Sequence, residues 1–281
     1  SSPPDALRES RAALAYLNRA AHRAMAPLVE LAKARSRSLP GDARTFGPLD
    51  RGNLTLRLAV KKVAVRAFAW RLDAKPLGAP DASYVRVLAG QLRRGDRPHR
   101  GRGSFGVDLD TLRRLDPSFK GQGKLLAAFA HVGDHKALAY ALKQFTPDPA
   151  LHPPIDAAVV GHRLMPEKKT RVRIASWMNV YPGGTALREF AFMRVGFIPA
   201  VGGAAAFIAA KGDVPVGSFI AGGSCWNRDD GEVFRAVREC LRTDTREMCL
   251  ARTPLVREGI ATDCQLEVGE AAEDPADFSQ E

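Results

Sequence analysis

Apolar and polar positions along this chain change period several times. Over residues 5–35, Leu7, Leu14, Leu17, Ala21, Met25, Leu28 and Leu31 recur at spacings of three, four and seven, the stripe of an amphipathic helix. Asp5 supplies a cap, and Pro27 predicts a kink one turn before the end. From Asn53 to Asp73 the period drops to two. Leu54, Leu56, Leu58 and Val60 share one parity, and Val63, Val65, Ala67 and Ala69 share the other. The switch at Lys61-Lys62 predicts a bulge or tight turn between half-buried strands. Helical spacing returns over 81–94 through Tyr84, Val85, Leu88 and Leu92. Residues 108–145 read as two helices broken at Pro117 and Gly121-Gln122-Gly123, the second carrying Leu125, Leu126, Phe129, Leu138, Leu142 and Phe145 on one face, interrupted near Gly133-Asp134.

Four prolines, Pro147, Pro149, Pro153 and Pro154, mark a boundary near residue 150. Beyond it, Ala157 and Val159 suggest a strand over 155–164. Val172, Ile174, Ser176, Met178 and Val180 alternate as another, and residues 186–198 suit either a helix or a buried strand. Segments 204–210 and 214–221 flank Lys211-Gly212-Asp213 as a hairpin. Asp229 or Asp230 caps an expected helix holding Val233, Phe234, Val237 and Leu241, with a shorter helical piece near 246–250. The expected fold class is therefore α+β: an N-terminal long helix and basic β unit, a helical middle, and a C-terminal mostly β core closed by a helix. The expected domains are a basic helical/β region 1–150, a β-rich core 151–257, and an acidic mobile tail 258–281.

Charge sharpens that division. Residues 1–125 hold 25 Lys/Arg against 11 Asp/Glu, whereas residues 126–281 hold 17 against 20. The positive potential belongs to the first half and points to a polyanionic partner, nucleic acid above all, RNA before DNA. Within 93–106, RRGDRPHRGRGSFG offers five arginines, four glycines and one phenylalanine. Arg93, Arg94, Arg97, Arg100 and Arg102 supply forked phosphate donors, and Phe105 supplies a stacking plane. The alternating stretch adds Arg57, Lys61, Lys62, Arg66 and Arg71 on its polar face. An ordinary solvated basic surface would produce the same composition.

Catalytic and metal motifs are sparse. His131 and His135 stand four apart, the spacing of a metal pair on a helix, but Val132 and Gly133 replace the glutamate-bearing signature and no third ligand is evident. The four cysteines, Cys225, Cys240, Cys249 and Cys264, form no C-x2-C pair and read as free thiols in a reducing compartment or inside a nucleoprotein particle. No cofactor or metal is implied. Gly223-Ser224-Cys225-Trp226 resembles the segment around the nucleophile of papain-like cysteine proteases. The resemblance covers four residues, lacks that family's upstream glutamine, and has every histidine before the cysteine. It would make Cys225 a nucleophile, with His131, His135 or His162 as base.

No run of apolar residues reaches membrane-spanning length. The opening SSPPDALRES has no initiator methionine and no apolar signal core, as in a processed chain or one with its initiator removed, and a targeting peptide cleaved from it would leave no trace here. Two functional readings follow. One is a non-enzymatic structural subunit of a nucleic-acid-containing assembly, a coat, nucleoprotein or ribonucleoprotein component, with helix 5–35 contacting other protein subunits. The other is a soluble enzyme, a Cys–His hydrolase built on Cys225.

Overall fold

A computed structural model describes residues 5–264 apart from 98–99, 147, 151–153, 165–167, 179, 183–187 and 200. Within α1, and at Thr262, some side chains are also outside the described set. The chain is an antiparallel meander: fifteen strands, ordered as they occur in the chain, with three short or peripheral α-helices among the described residues. It divides into two compact units, Tyr16–Asp156 and Ser1–Ala15 with Ala157–Glu281, here called the N-terminal and C-terminal units.

The N-terminal unit contains β1 (Ser36–Leu39), β2 (Ala43–Arg51), β3 (Leu54–Ala64), β4 (Ala67–Pro76), β5 (Val85–Arg94), β6 (Gly101–Asp108), β7 (Gln122–Val132) and β8 (His135–Thr146), with α2 (Leu109–Leu115) after β6. It also holds most of α1 (Asp5–Lys33). One sheet face buries Leu56, Leu58, Leu72, Ala74, Leu88, Phe105, Val107, Leu125, Ala127, Tyr140 and Leu142. Leu28 and Leu31 of α1 are buried too. Leu31 approaches β2 at Gly47, whose φ of 98° favours glycine and where a Cβ would stand 2.8 Å from Leu31 Cδ2. Those two leucines are thus spent on this unit's own packing and not on a partner subunit. The side chains of Leu7, Leu14, Leu17 and Ala21, on which the rest of the subunit-contact expectation stood, lie outside the described residues. Tyr140 donates to Asn18 Oδ1 at 3.4 Å, and burial pushes its hydroxyl pKa up to about 12.

The C-terminal unit contains β9 (Ile155–Leu164, from Ala157), β10 (Lys169–Met178), β11 (Glu189–Ile198), β12 (Gly202–Ala210), β13 (Ser218–Asn227), β14 (Glu232–Leu241), α3 (Arg246–Ala251) and β15 (Val256–Gly259). Its core gathers Ala191, Ala209, Val214, Ile220 and Val237, with Met178, Val180, Tyr181, Phe207 and Val256 packed against them. Glu189 is fully buried beside this core. Its Oε2 accepts from the backbone N–H of Val180 (2.7 Å) and Tyr181 (3.3 Å), tying the chain after β10 to the start of β11. No helix among the described residues is long and apolar enough to cross a membrane.

The α+β expectation is corrected: the helical middle and the closing helix are strands. Residues 85–94 form β5 because a bulge sets Leu72 opposite Leu88 but Asp73 opposite Arg86, leaving Val87 as the extra residue. Val87 and Leu88 are then both buried while Val85 is 41% exposed, so the helical spacing of Tyr84, Val85, Leu88 and Leu92 follows no single buried face. Residues 122–146 form the β7–β8 hairpin, turning at Gly133-Asp134 between Val132 and His135, with Gly133 at φ 55°. Leu125 is 5% exposed and Leu126 61%, a strand alternation that the many alanines of this segment disguise as helix propensity. Residues 232–241 form β14. Asn227 Oδ1 accepts from Asp229 and Gly231 N–H, each at 3.0 Å, so the aspartates sit in a turn and cap nothing. The parity switch at Lys61-Lys62 resolves into a bulge at Val63 and a two-residue turn at Val65-Arg66.

Aromatic side chains opposite glycines recur in both units. Trp70 faces Gly90, Phe129 faces Gly103, Phe207 faces Gly222 and Trp226 faces Gly203. At each glycine a Cβ would fall within 2.8 Å of the ring, so the ring lies across the bare backbone and fills the gap.

Candidate nucleic-acid interface

In a meander, alternate hairpins share one end of the sheet. In the N-terminal unit this places the turns β1–β2, β3–β4, β5–β6 and β7–β8 side by side. Residues 37–44, 61–67, 93–102 and 131–136 form these tips. They hold eleven Lys/Arg (Arg37, Arg44, Lys61, Lys62, Arg66, Arg93, Arg94, Arg97, Arg100, Arg102, Lys136) and three Asp (Asp42, Asp96, Asp134), a net +8.

Registers fix the detail. Arg93 lies directly opposite Arg102 on one side and Ala67 on the other. Arg94 lies opposite Gly101, Gly101 opposite His131, and His131 opposite Lys136. Lys61, Lys62, Arg93, Arg94, Arg97 and Arg102 are exposed, and Arg100 is half-buried. Backbone bonds from Gly95 N–H to Arg100 C=O (2.8 Å) and from Arg100 N–H to Arg97 C=O (3.2 Å) hold the β5–β6 turn. Arg66 is ion-paired with Asp96 at 2.5 Å. Like charges directly across a sheet repel, so the Arg93–Arg102 pair lowers stability by itself and is relieved by an anion lying between the guanidinium groups.

Two residues expected at this surface belong elsewhere. Arg57 Nη2 and Arg71 Nε reach Asp73 Oδ2 at 3.4 and 3.2 Å. The Arg57 guanidinium also lies 4.0 Å above the Tyr84 ring, with Lys75 Nζ 4.9 Å from the same ring and 2.8 Å from Asp81. The Lys75 hydrogen bond holds the Asp81 carboxyl below the usual range, while burial pushes the Tyr84 hydroxyl up. This network offsets two of its three positive charges internally. Phe105, expected as a stacking plane, is 5% exposed and packs against Trp70 with ring centroids 6.4 Å apart.

The hydrolase reading loses its nucleophile to a disulfide. Cys225 is fully buried and disulfide-bonded to Cys264, with Cα atoms 5.8 Å apart; Cys240 is bonded to Cys249, at 5.1 Å. A disulfide sulfur carries no thiolate, so the free-thiol expectation is corrected and Cys225 offers no nucleophile. His131 and His135 lie on a hairpin. His131 faces Lys136 and His135 faces Val132, so the two point to opposite faces, and the helical metal-pair geometry is lost. His162 lies on β9 opposite Arg171, in the same unit as Cys225 but four strands from it along the row through Arg171, Gly196 and Ala204.

Arg37, Arg44 and Lys136 were not singled out from the sequence, being isolated charges remote from the Arg-Gly stretch. The signal that would have found them is hairpin pairing, with Gly133-Asp134 as its clearest mark. Of the tail expected over 258–281, Glu258 lies in β15 opposite Arg235, and residues 265–281 lie outside the described residues. No family model, no curated protein and no solved structure matches this chain.

Proposed function

We propose that this chain is a non-enzymatic binding subunit that holds the phosphate backbone of a nucleic acid, RNA before DNA, across the basic end of its N-terminal sheet. The observation that supports this most is the exposed Arg93–Arg102 cross-strand pair, flanked by Lys61, Lys62, Arg94 and Arg97, none of which has an ion-pair partner among the described residues. Only a ligand with repeated negative charge compensates such a row along its whole length. The glycines at 95, 101 and 103 keep side-chain bulk away from the backbone between the arginines. With Phe105 enclosed, binding rests on phosphate contacts and carries little base preference. The two disulfides support an oxidising setting in place of the reducing one expected from the sequence.

Salt-dependent binding of a fluorescent single-stranded RNA, and of DNA of the same length, tests the reading. About five phosphate contacts give a slope of log K against log salt near −3.5, a loss of roughly a hundredfold in affinity between 50 and 200 mM. Arg93→Glu with Arg102→Glu flattens that slope, whereas Arg242→Glu, at an exposed position of the other unit, leaves it unchanged. Absent binding, a salt-independent affinity, or equal loss in both variants would overturn the proposal.

A further inference from the structure

The geometry points to a docking surface on the C-terminal unit for the chain's own acidic segment, residues 265–281. This surface is separate from the basic end of the N-terminal sheet and does not depend on it.

Register places Arg171, Arg173 and Trp177 of β10, Phe190, Phe192 and Arg194 of β11, and Ile208 of β12 on one sheet face. Trp177 and Phe192 are 37% and 40% exposed. Phe190 meets Trp177 edge-on at 5.5 Å and Phe192 edge-on at 5.2 Å, forming a continuous aromatic ridge. Arg171 and Arg173 are exposed beside it. On this face β10, β11 and β12 carry three arginines and no acid. An exposed aromatic ridge bordered by guanidinium groups fits a ligand that alternates apolar and acidic groups.

The occupant is named by what stands on the same face. The row through Arg171 continues across Gly196 and Ala204 to Cys225. Cys225 is the anchor of Cys264, the residue immediately before the acidic segment. The second disulfide, through Cys240 opposite Phe219, fastens α3 to the same face. The described chain up to Cys264 is therefore fastened to β13 and β14 on the face whose β10–β12 part carries the ridge. Three strand spacings of ~4.8 Å put Arg171 only about 14 Å from Cys225, and a seventeen-residue segment spans up to about 56 Å extended, enough to cross the whole ridge.

The segment has matching chemistry. QLEVGEAAEDPADFSQE holds six acids and no base, with Leu266, Val268 and Phe278 as apolar contacts. Its charges meet Arg171 and Arg173, and its apolar residues meet Trp177, Phe190 and Phe192. Tethering at Cys264 keeps it at roughly millimolar effective concentration, so weak contacts suffice to fill the surface.

The experiment is acrylamide quenching of Trp177 in the full oxidised chain, isolated by subtracting the signal of the matching Trp177→Phe chain. It is repeated in a chain ending at Cys264 and in Arg171→Glu/Arg173→Glu. The expected result is about a twofold rise in the quenching constant in both variants, because the tethered segment occupies the ridge most of the time in the full chain. Raising salt to roughly 0.5 M, where the Debye length is about 4 Å, produces the same rise in the full chain and none in the shortened one. Equal quenching in the full and shortened chains overturns the proposal. So does protection of Trp177 that grows with protein concentration, which would assign the occupant to a second copy.

Discussion

Gly203→Ala is the sharpest test of how the C-terminal sheet is packed. A Cβ built at Gly203 stands 2.3 Å from Trp226 Cζ2, 2.6 Å from Trp226 Cε2 and 2.6 Å from the Gly196 carbonyl oxygen. Trp226 is 2% exposed, so the ring cannot swing into solvent to relieve the clash, and the carbonyl belongs to the paired strand β11. Both neighbours must shift, and overpacking of this kind costs about 1–3 kcal/mol. Gly196, one strand away, is the control. A Cβ there meets nothing within 4 Å, and its backbone is not in the left-handed region, so Gly196→Ala is neutral or stabilises by roughly 0.4–1 kcal/mol through the unfolded chain. The assay is urea unfolding of the oxidised protein in a Trp70→Phe background, which confines the emission to Trp177 and Trp226 of the C-terminal unit. A lowered midpoint for Gly203→Ala beside an unchanged or raised midpoint for Gly196→Ala is expected. Equal midpoints would refute the claim that the ring occupies the space above Gly203.

Two further predictions concern the C-terminal unit. Without reductant none of its four cysteines takes up an alkylating probe, and replacing each pair by alanine lowers stability by about 4 kcal/mol for Cys225/Cys264 and about 2.6 kcal/mol for Cys240/Cys249, following the loop separations of 39 and 9 residues; denaturation curves showing the shorter loop to matter more would contradict this. The second is a pH effect at Asp244, whose side chain is 2% exposed and accepts from Arg252 Nε at 2.5 Å and Nη2 at 3.1 Å and from Leu241 N–H at 2.8 Å. The Arg252 hydrogen bond holds this carboxyl below its usual range, so its contribution is fully present above the unfolded value near ~3.9 and is lost as pH falls through the lower folded value. Asp244→Asn is therefore less stable than the parent at neutral pH, and the two converge in strong acid; a constant difference across pH would argue against the linkage.

Strand signals were legible where one face alone is buried, as at Leu56 and Leu58 in β3 and at Val172 and Ile174 in β10. They were lost in β5, where the bulge at Val87 placed two buried residues in succession, and in β7–β8, where alanines on both faces raise helix propensity and blur the alternation. A local pattern records burial, and a bulge changes burial without changing the strand. The candidate interface was half legible. The Arg-Gly stretch stands out in sequence, but its alignment with Lys61, Lys62 and Lys136 follows from pairing across four hairpins. Phe105 gave no sign of its enclosure, because the aromatic that covers it, Trp70, lies on β4, one strand beyond its pairing neighbour β5.

The sequence by itself determined the leading helix, the turns at Gly and Asp, the short piece at α3, and the separation of a basic first half from an acidic end, since these depend on local propensity and on charge counts. Only the tertiary structure decided that the middle is sheet, that Arg57 and Arg71 share Asp73, that Arg93 faces Arg102, and that Cys225 is joined to Cys264. Each of those depends on which residues meet across strands, and register, set by burial of one face and by turn geometry over the whole sheet, lies beyond any local window of the chain.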